Sequence, residues 1–227
     1  MEIILQNYNK NINGKDILKN INFNFNCNIS LIGTSSSGKT TLLKALENDY
    51  NVPRIYKNFM FFHSTIEEEI KYILLNTKQK KMVNDLLKNI NLSINPNMLK
   101  NNDKIKLCIL KGILSNNNYV SFDNILTYLP LKEKEYILKY LNQEHINYII
   151  VSNDLNDLFN TDITYILNEG TIIASGSSQK MLLEEKLLKR LGFTLPFMID
   201  LSLKLKDYNL IKDIYLDKEL LVNKLWK

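Results

Sequence analysis

The chain has 227 residues, 45% of them hydrophobic and 23% charged, with a net charge of +5. That length suits one domain with a short appendage, or two small ones, and the apolar content suffices for an ordinary core. No apolar run approaches the ~18 residues that span a bilayer, and the opening Met1-Glu2-Ile3-Ile4-Leu5-Gln6-Asn7 lacks a basic stretch followed by an apolar one, so neither a membrane helix nor a signal peptide is expected. Cys27 and Cys108 sit beside apolar residues without metal-ligand spacing, and both are expected to be reduced and structural, in a cytosolic protein. His63 and His145 have no partner at ligand spacing. Lysine carries most of the positive charge, with arginine only at Arg54 and Arg190. The lysines are scattered, which describes a solvated surface better than a nucleic-acid site.

Ile3-Ile4-Leu5 reads as a first strand, and Ile17-Leu18 followed by Ile21, Phe23 and Phe25 alternates as a half-buried strand does. Cys27-Asn28-Ile29-Ser30-Leu31-Ile32 is a short strand that runs into a glycine loop. Residues 40–47 have helical spacing, with Leu42, Leu43 and Leu46 on one side. Residues 65–75 and 80–90 are expected to form two helices, the first opened by Ser64-Thr65-Ile66-Glu67-Glu68, a cap with acidic residues in its first turn. Asn116-Asn117-Asn118 reads as a loop, and Tyr119-Val120-Ser121-Phe122 as a buried strand ending at Asp123. Residues 131–141 form a helix and Tyr148-Ile149-Ile150-Val151 another buried strand. Two further strands flank Asn168-Glu169-Gly170, a hairpin turn. From about Met181 the tail is helical, with breaks near Gly192 and Pro196. Buried strands alternating with helices predict an α/β layer structure with a mainly parallel sheet.

The segment Gly33-Thr34-Ser35-Ser36-Ser37-Gly38-Lys39-Thr40 matches G-x-x-x-x-G-K-[ST] between a strand and a helix, the context that motif requires. Gly33 and Gly38 permit backbone conformations closed to other residues. The loop N–H groups then form an anion nest at a helix N-terminus. Nucleotide contacts are expected from Gly33, Thr34, Ser35, Ser36, Ser37, Gly38, Lys39, Thr40 and Thr41, with Lys39 reaching the β- and γ-phosphates of ATP. Thr40 and Asp123 are expected to hold Mg²⁺, since such a site needs a hydroxyl on the loop and a carboxylate at a neighbouring strand end.

Beyond the loop, most of the chain resembles the ATP-binding subunits of ABC transporters. Lys19-Asn20-Ile21-Asn22-Phe23-Asn24-Phe25 is similar to the family's strand before the loop, and Thr65-Ile66-Glu67-Glu68-Glu69-Ile70 to the segment after its glutamine loop. Phe122-Asp123 resembles the Walker B end, Ile149-Ile150-Val151-Ser152-Asn153-Asp154-Leu155 the strand carrying the switch histidine, and the stretch from Ile166 to Gly176 the hairpin that follows. The tail narrows the resemblance. Leu187-Leu188-Lys189-Arg190-Leu191-Gly192-Phe193-Thr194-Leu195-Pro196-Phe197, with Lys218-Glu219-Leu220-Leu221-Val222-Asn223-Lys224-Leu225-Trp226, resembles the C-terminal extension of energy-coupling-factor importer ATPases, which take up vitamins and metal ions such as cobalt.

The departures from the family fall on its chemical positions. Asn124 stands where the family's catalytic glutamate follows Walker B, and Asn153 at the switch histidine, so no catalytic residue is intact. The signature LSGGQ aligns with Leu99-Lys100-Asn101-Asn102-Asp103, the D-loop aspartate with Pro130 and the glutamine loop with Lys57. The stretch 44–57 is shorter than the family's, which implies a reduced antiparallel subdomain. The adenine-stacking aromatic is left unassigned, because Tyr8 is one or two positions off register. A general base is worth about 10²–10⁴ in rate, so losing the glutamate alone removes roughly 3–5 kcal/mol of barrier lowering.

The resemblance implies a P-loop ATPase fold of the ABC type: an α/β nucleotide-binding domain over residues 1–180, with a helical subdomain at about 64–115, and a helical extension over residues 181–227. It further implies an ATP-binding subunit of an importer, peripheral on the cytoplasmic membrane face. Its partners would be a second ATPase, a transmembrane coupling protein and a substrate-binding membrane protein. ATP and Mg²⁺ are the implied cofactors, with hydrolysis impaired at this chain's own site. Two other readings stay open: a non-hydrolysing structural or regulatory nucleotide-binding subunit, and a soluble P-loop kinase. The kinase would need an arginine-lined acceptor pocket from a chain with two arginines.

Overall fold

The computed structural model describes residues 2–115, 118–216 and 218–226. In chain order its elements are β1 (Ile3–Ile12), β2 (Lys15–Phe25), β3 (Ile29–Gly33), α1 (Lys39–Tyr50), β4 (Arg54–Ile55), α2 (Ile66–Glu69), α3 (Thr77–Leu86) and α4 (Asn101–Ile113). There follow β5 (Tyr119–Asp123), α5 (Leu131–Gln143), β6 (Asn147–Val151), β7 (Ile163–Asn168), β8 (Thr171–Ser177), α6 (Ser178–Met181), α7 (Glu185–Arg190), α8 (Phe197–Asp207) and α9 (Lys218–Leu225).

Six strands form one sheet in the order β4-β5-β6-β3-β7-β8. Every pairing in it is parallel except β7 with β8. β3 lies near the middle and is buried at all its positions, as a parallel strand covered on both faces must be. β8 is an edge strand and alternates half-buried with exposed residues. The expected mainly parallel α/β architecture is therefore what the chain forms. One face of the sheet is closed by α1 and the β1–β2 hairpin, through a core that joins Leu18, Phe23 and Phe25 to Leu42, Leu43 and Leu46. On the other, α3, α4 and α5 pack Met82, Leu107, Leu110 and Leu141 against Phe122, Tyr148 and Ile150.

Three elements differ from expectation. The first strand runs to Ile12, because β1 and β2 pair along nearly their whole length around a turn with left-handed Asn13 and Gly14. The helix expected over 65–75 closes after Glu69. Lys71 adopts a left-handed conformation, and Tyr72–Leu74 form a 3₁₀ turn. Ile73 and Leu74 have no core to face and stay exposed, so burial does not sustain helix beyond α2. Its N-terminus does form as read, with Thr65 and Glu68 in a reciprocal capping box. The helix expected over 80–90 starts earlier, at Thr77, behind a second capping box of Asn76 and Gln79, and ends at Leu86. That Asn-x-x-Gln signature was present in the sequence. Of the loop expected at 116–118, Asn116 and Asn117 lie outside the described residues. The tail is helical and is interrupted at Gly192 and Pro196 as expected, with further breaks between α6 and α7 and after α8. Met181, Leu182, Leu188, Phe193, Leu195 and Ile199 share a core with Ile32 of β3 and Ile166 of β7, so the start of the tail packs onto the sheet.

Candidate nucleotide site

The glycine loop connects the end of β3 to the start of α1. Gly33 has φ +153°, and a Cβ there would lie 1.9 Å from the Leu167 carbonyl oxygen of β7. Gly38 caps α1 at φ +105°, and a Cβ there would meet a Leu18 methyl at 2.8 Å. A side chain at Gly33 would collide with neighbouring backbone, and one at Gly38 would strain a left-handed backbone and push on the Leu18 side chain. The neighbouring hairpin turn braces the loop: Thr34 Oγ1 donates to Asn168 Oδ1 at 3.0 Å and Gly170 N–H to the Ser37 carbonyl at 3.0 Å. Ser35, Ser36 and Thr40 are exposed, Ser37 is buried, and Thr41 is half-buried on the first turn of α1. The free N–H groups of that turn point out of the helix end, where an anion is favoured.

Lys39 lies folded along the loop. Its ammonium donates to the carbonyls of Gly33 (2.8 Å) and Thr34 (2.7 Å) and to Ser37 Oγ (3.2 Å). Burial pushes this ammonium below its ordinary pKa, while the Asp123 carboxylate pulls the other way. A phosphate oxygen would exchange with one of these neutral acceptors for a charge-assisted bond.

Asp123 stands at the C-terminal end of β5, as expected. The Thr40 hydroxyl donates to its Oδ1 at 3.3 Å, so the loop hydroxyl and the strand-end carboxylate do meet. Two hard oxygens side by side are what Mg²⁺ takes, and the pair fits that ion. The other carboxylate oxygen is occupied by a residue that the sequence reading passed over. Arg54 Nη1 donates to Asp123 Oδ2 at 2.9 Å and Nε to Glu47 Oε2 at 3.3 Å. The Arg54 guanidinium also lies 3.9 Å from the Tyr56 ring centroid. Its only signal in the sequence was the scarcity of arginine.

The altered positions divide between two places. Asn124 follows Asp123 in a left-handed conformation, φ +57°, with its amide 3.5 Å from Asp123 Oδ1. An amide there has no basicity to draw a proton from water. Asn153 is exposed and, with Gly33, Thr34 and Ser35, lines a cleft of about 440 Å³. Residues 191–197 line the same cleft, so the tail reaches the loop, which no sequence signal indicated. Asn101, Asn102 and Asp103 open α4 behind Lys100 and, with Lys100, line a separate cleft of about 460 Å³ with Pro130, while Leu99 just before them is buried in the core. The structure thus brings the signature-aligned and D-loop-aligned positions together, apart from the glycine loop. Lys57 is exposed, its ammonium 4.8 Å from the Tyr128 ring centroid. Tyr8 donates to Asp49 at 3.3 Å on the β1–β2 side of α1.

No family model matches the chain. Among curated proteins it is similar to the energy-coupling factor transporter ATP-binding protein EcfA of Pediococcus pentosaceus, 23% identical over 207 aligned positions that cover 74% of each chain. EcfA1 of Mesomycoplasma hyopneumoniae is 24% identical, over 93% of this chain and 91% of its own. EcfA1 of Ureaplasma parvum is 24% identical, over 93% and 86% respectively. Among solved structures, a bacterial Atm1-family ABC exporter with ATP bound superposes with a TM-score of 0.70 at 15% identity. That match covers 84% of this chain but only 41% of the exporter chain. At that identity the likeness establishes the fold alone, which is that of an ABC ATPase.

Proposed function

We propose that this relative of the energy-coupling-factor ATP-binding proteins, built on the ABC ATPase fold, is the ATP-binding subunit of a membrane importer. The observation that carries the reading is the braced loop of residues 33–41, with Lys39 held along it and Thr40 in contact with Asp123. The loop amides and Lys39 hold the triphosphate, and Thr40 and Asp123 are the residues that would hold Mg²⁺. The metal, when bound, supplies charge neutralisation on the phosphate oxygens. Asn124 and Asn153 leave the site without a proton acceptor or an imidazole, so own-site hydrolysis is impaired. In the family's arrangement the signature of one subunit faces the loop of the other, so residues 99–103 weaken the partner's site. Residues 1–180 are the nucleotide-binding domain, with its helical subdomain at about 64–115, and residues 181–227 are the extension.

The assembly reading, with a second ATPase, a coupling protein and a substrate-binding membrane protein, draws support from the surface. Met60, Phe62, Ile73 and Leu74 are exposed near α2, and the last two line a cleft of about 710 Å³ with Tyr72. An apolar cluster of this kind suits a partner rather than water. No helix among the described residues is long and apolar enough to cross a membrane. In the importer reading the chain sits peripherally at the cytoplasmic face, through its partners. The same two asparagines also support a second reading, a regulatory subunit that binds nucleotide and never turns it over.

A thermal melt tests the nucleotide reading. At ligand a hundred times Kd, binding stabilises by ~2.7 kcal/mol, which for a chain of this size raises Tm by roughly 5–10 °C. Lys39→Ala should lose most of the shift. A wild type that shows no shift at millimolar ATP, with or without Mg²⁺, overturns the reading.

A further inference from the structure

Arg54 enters the candidate metal site from the edge of the sheet. β4 is two residues long and pairs with β5, placing Arg54 opposite Ser121, two residues before Asp123. Its side chain is 8% exposed and that of Asp123 is 7% exposed. Its guanidinium is held on two carboxylates and a ring: Nη1 on Asp123, Nε on Glu47, and the plane against Tyr56. Asp123 is equally committed, with Oδ2 on Arg54 and Oδ1 accepting from Thr40 and the Asn124 amide.

We propose that Arg54 is a built-in counter-cation at the nucleotide site, so that this chain binds ATP with little dependence on Mg²⁺. The inference rests on the nucleotide reading above. A carboxylate beside a triphosphate repels it, and a divalent ion bridging the two ordinarily removes that penalty. Here a guanidinium is already hydrogen-bonded to the carboxylate. Arginine stays charged at any physiological pH, and its planar fork suits carboxylates. Asp123 therefore presents little uncompensated charge to an incoming phosphate. A metal entering at Thr40 adds less than it would beside a bare carboxylate. The arrangement matches a site at which hydrolysis has lost its base: a chain that only holds nucleotide has less need of a metal to polarise the γ-phosphate.

The test is the Kd for ATP of the full chain, measured by calorimetry in EDTA and in millimolar Mg²⁺. The wild-type ratio of the two Kd values is expected to be below about threefold. For Arg54→Met it should rise to tenfold or more, with the loss confined to the EDTA arm, and Arg54→Lys should stay near wild type. A merely structural ion pair would lower Tm in Arg54→Met and leave the ratio where it was, which overturns the proposal. A wild-type ratio of tenfold or more also overturns it, and does so even if Arg54→Met fails to fold, while leaving the nucleotide reading intact. Absence of binding in both arms fails the nucleotide reading and this inference together.

Discussion

Asn124 tolerates a left-handed backbone better than most residues, because its short amide bonds locally, and its N–H closes on the Val151 carbonyl at 3.1 Å. A glutamate introduced there bears roughly 1–2 kcal/mol of backbone cost, yet its carboxylate would stand beside Asp123 where a proton acceptor is wanted. Asn153 is exposed and lines the same cleft as Gly33, Thr34 and Ser35 of the loop. We expect Asn124→Glu combined with Asn153→His to raise hydrolysis at this site by at least about tenfold, a modest part of what a general base contributes. The measurement is single-turnover hydrolysis in a complex whose partner has an intact signature and lacks its own loop lysine. An unchanged rate with ATP still bound would mean that dimer closure, not the base, is limiting.

At the scale of elements, Glu69 ties three segments together. It ends α2, accepts the N–H groups of Phe62 and His63 at 2.9 Å each, bonds the His63 ring at 3.1 Å and pairs with Lys111 of α4. Burial would raise its carboxyl, but Lys111 and the donors of residues 62 and 63 outweigh that and bring it down from 4.5 to about 2. A depressed carboxyl stabilises the fold above its ordinary pKa and loses that contribution as pH falls through the folded value. The urea midpoint should therefore drop between about pH 4.5 and pH 2. Glu69→Gln should cost about 2–3 kcal/mol at pH 7, short of a fully buried pair because Lys111 is partly exposed. Near pH 2 the variant and wild type should converge. An equal gap at both pH values would show that the carboxylate charge is not what binds these elements.

For the molecule as a whole, the segments on either side of α2 expose apolar side chains, Met60 and Phe62 before it and Ile73 and Leu74 after it, and the Glu69 network fixes the backbone at Phe62. Affinity purification from native membranes should recover the chain with a second ATPase and a multi-span protein. Ile73→Ser with Leu74→Ser should reduce recovery of the multi-span protein several-fold while leaving the ATP-induced melting shift unchanged, since neither residue touches the loop. A chain recovered alone from the soluble fraction would count against the importer reading.

The division between what the sequence determined and what the tertiary structure decided follows the range of the interactions. The glycine loop was legible because its motif is written within eight residues, Gly33 to Thr40, between a buried strand and a helix start. The buried strands ending at Asp123 and Val151, and the hairpin around Gly170, were legible for the same reason, since apolar runs and turn residues act locally. The arginine that engages Asp123 lies 69 residues earlier in the chain. The brace from Asn168 to Thr34 spans 134. Residues 191–197 reach the loop cleft only because the tail core packs on β3 and β7. None of these contacts has a local pattern. Each depends on the strand order β4-β5-β6-β3-β7-β8, which sets β4 beside β5 and β7 beside β3, and that order is fixed by how the apolar faces of distant segments cover one another.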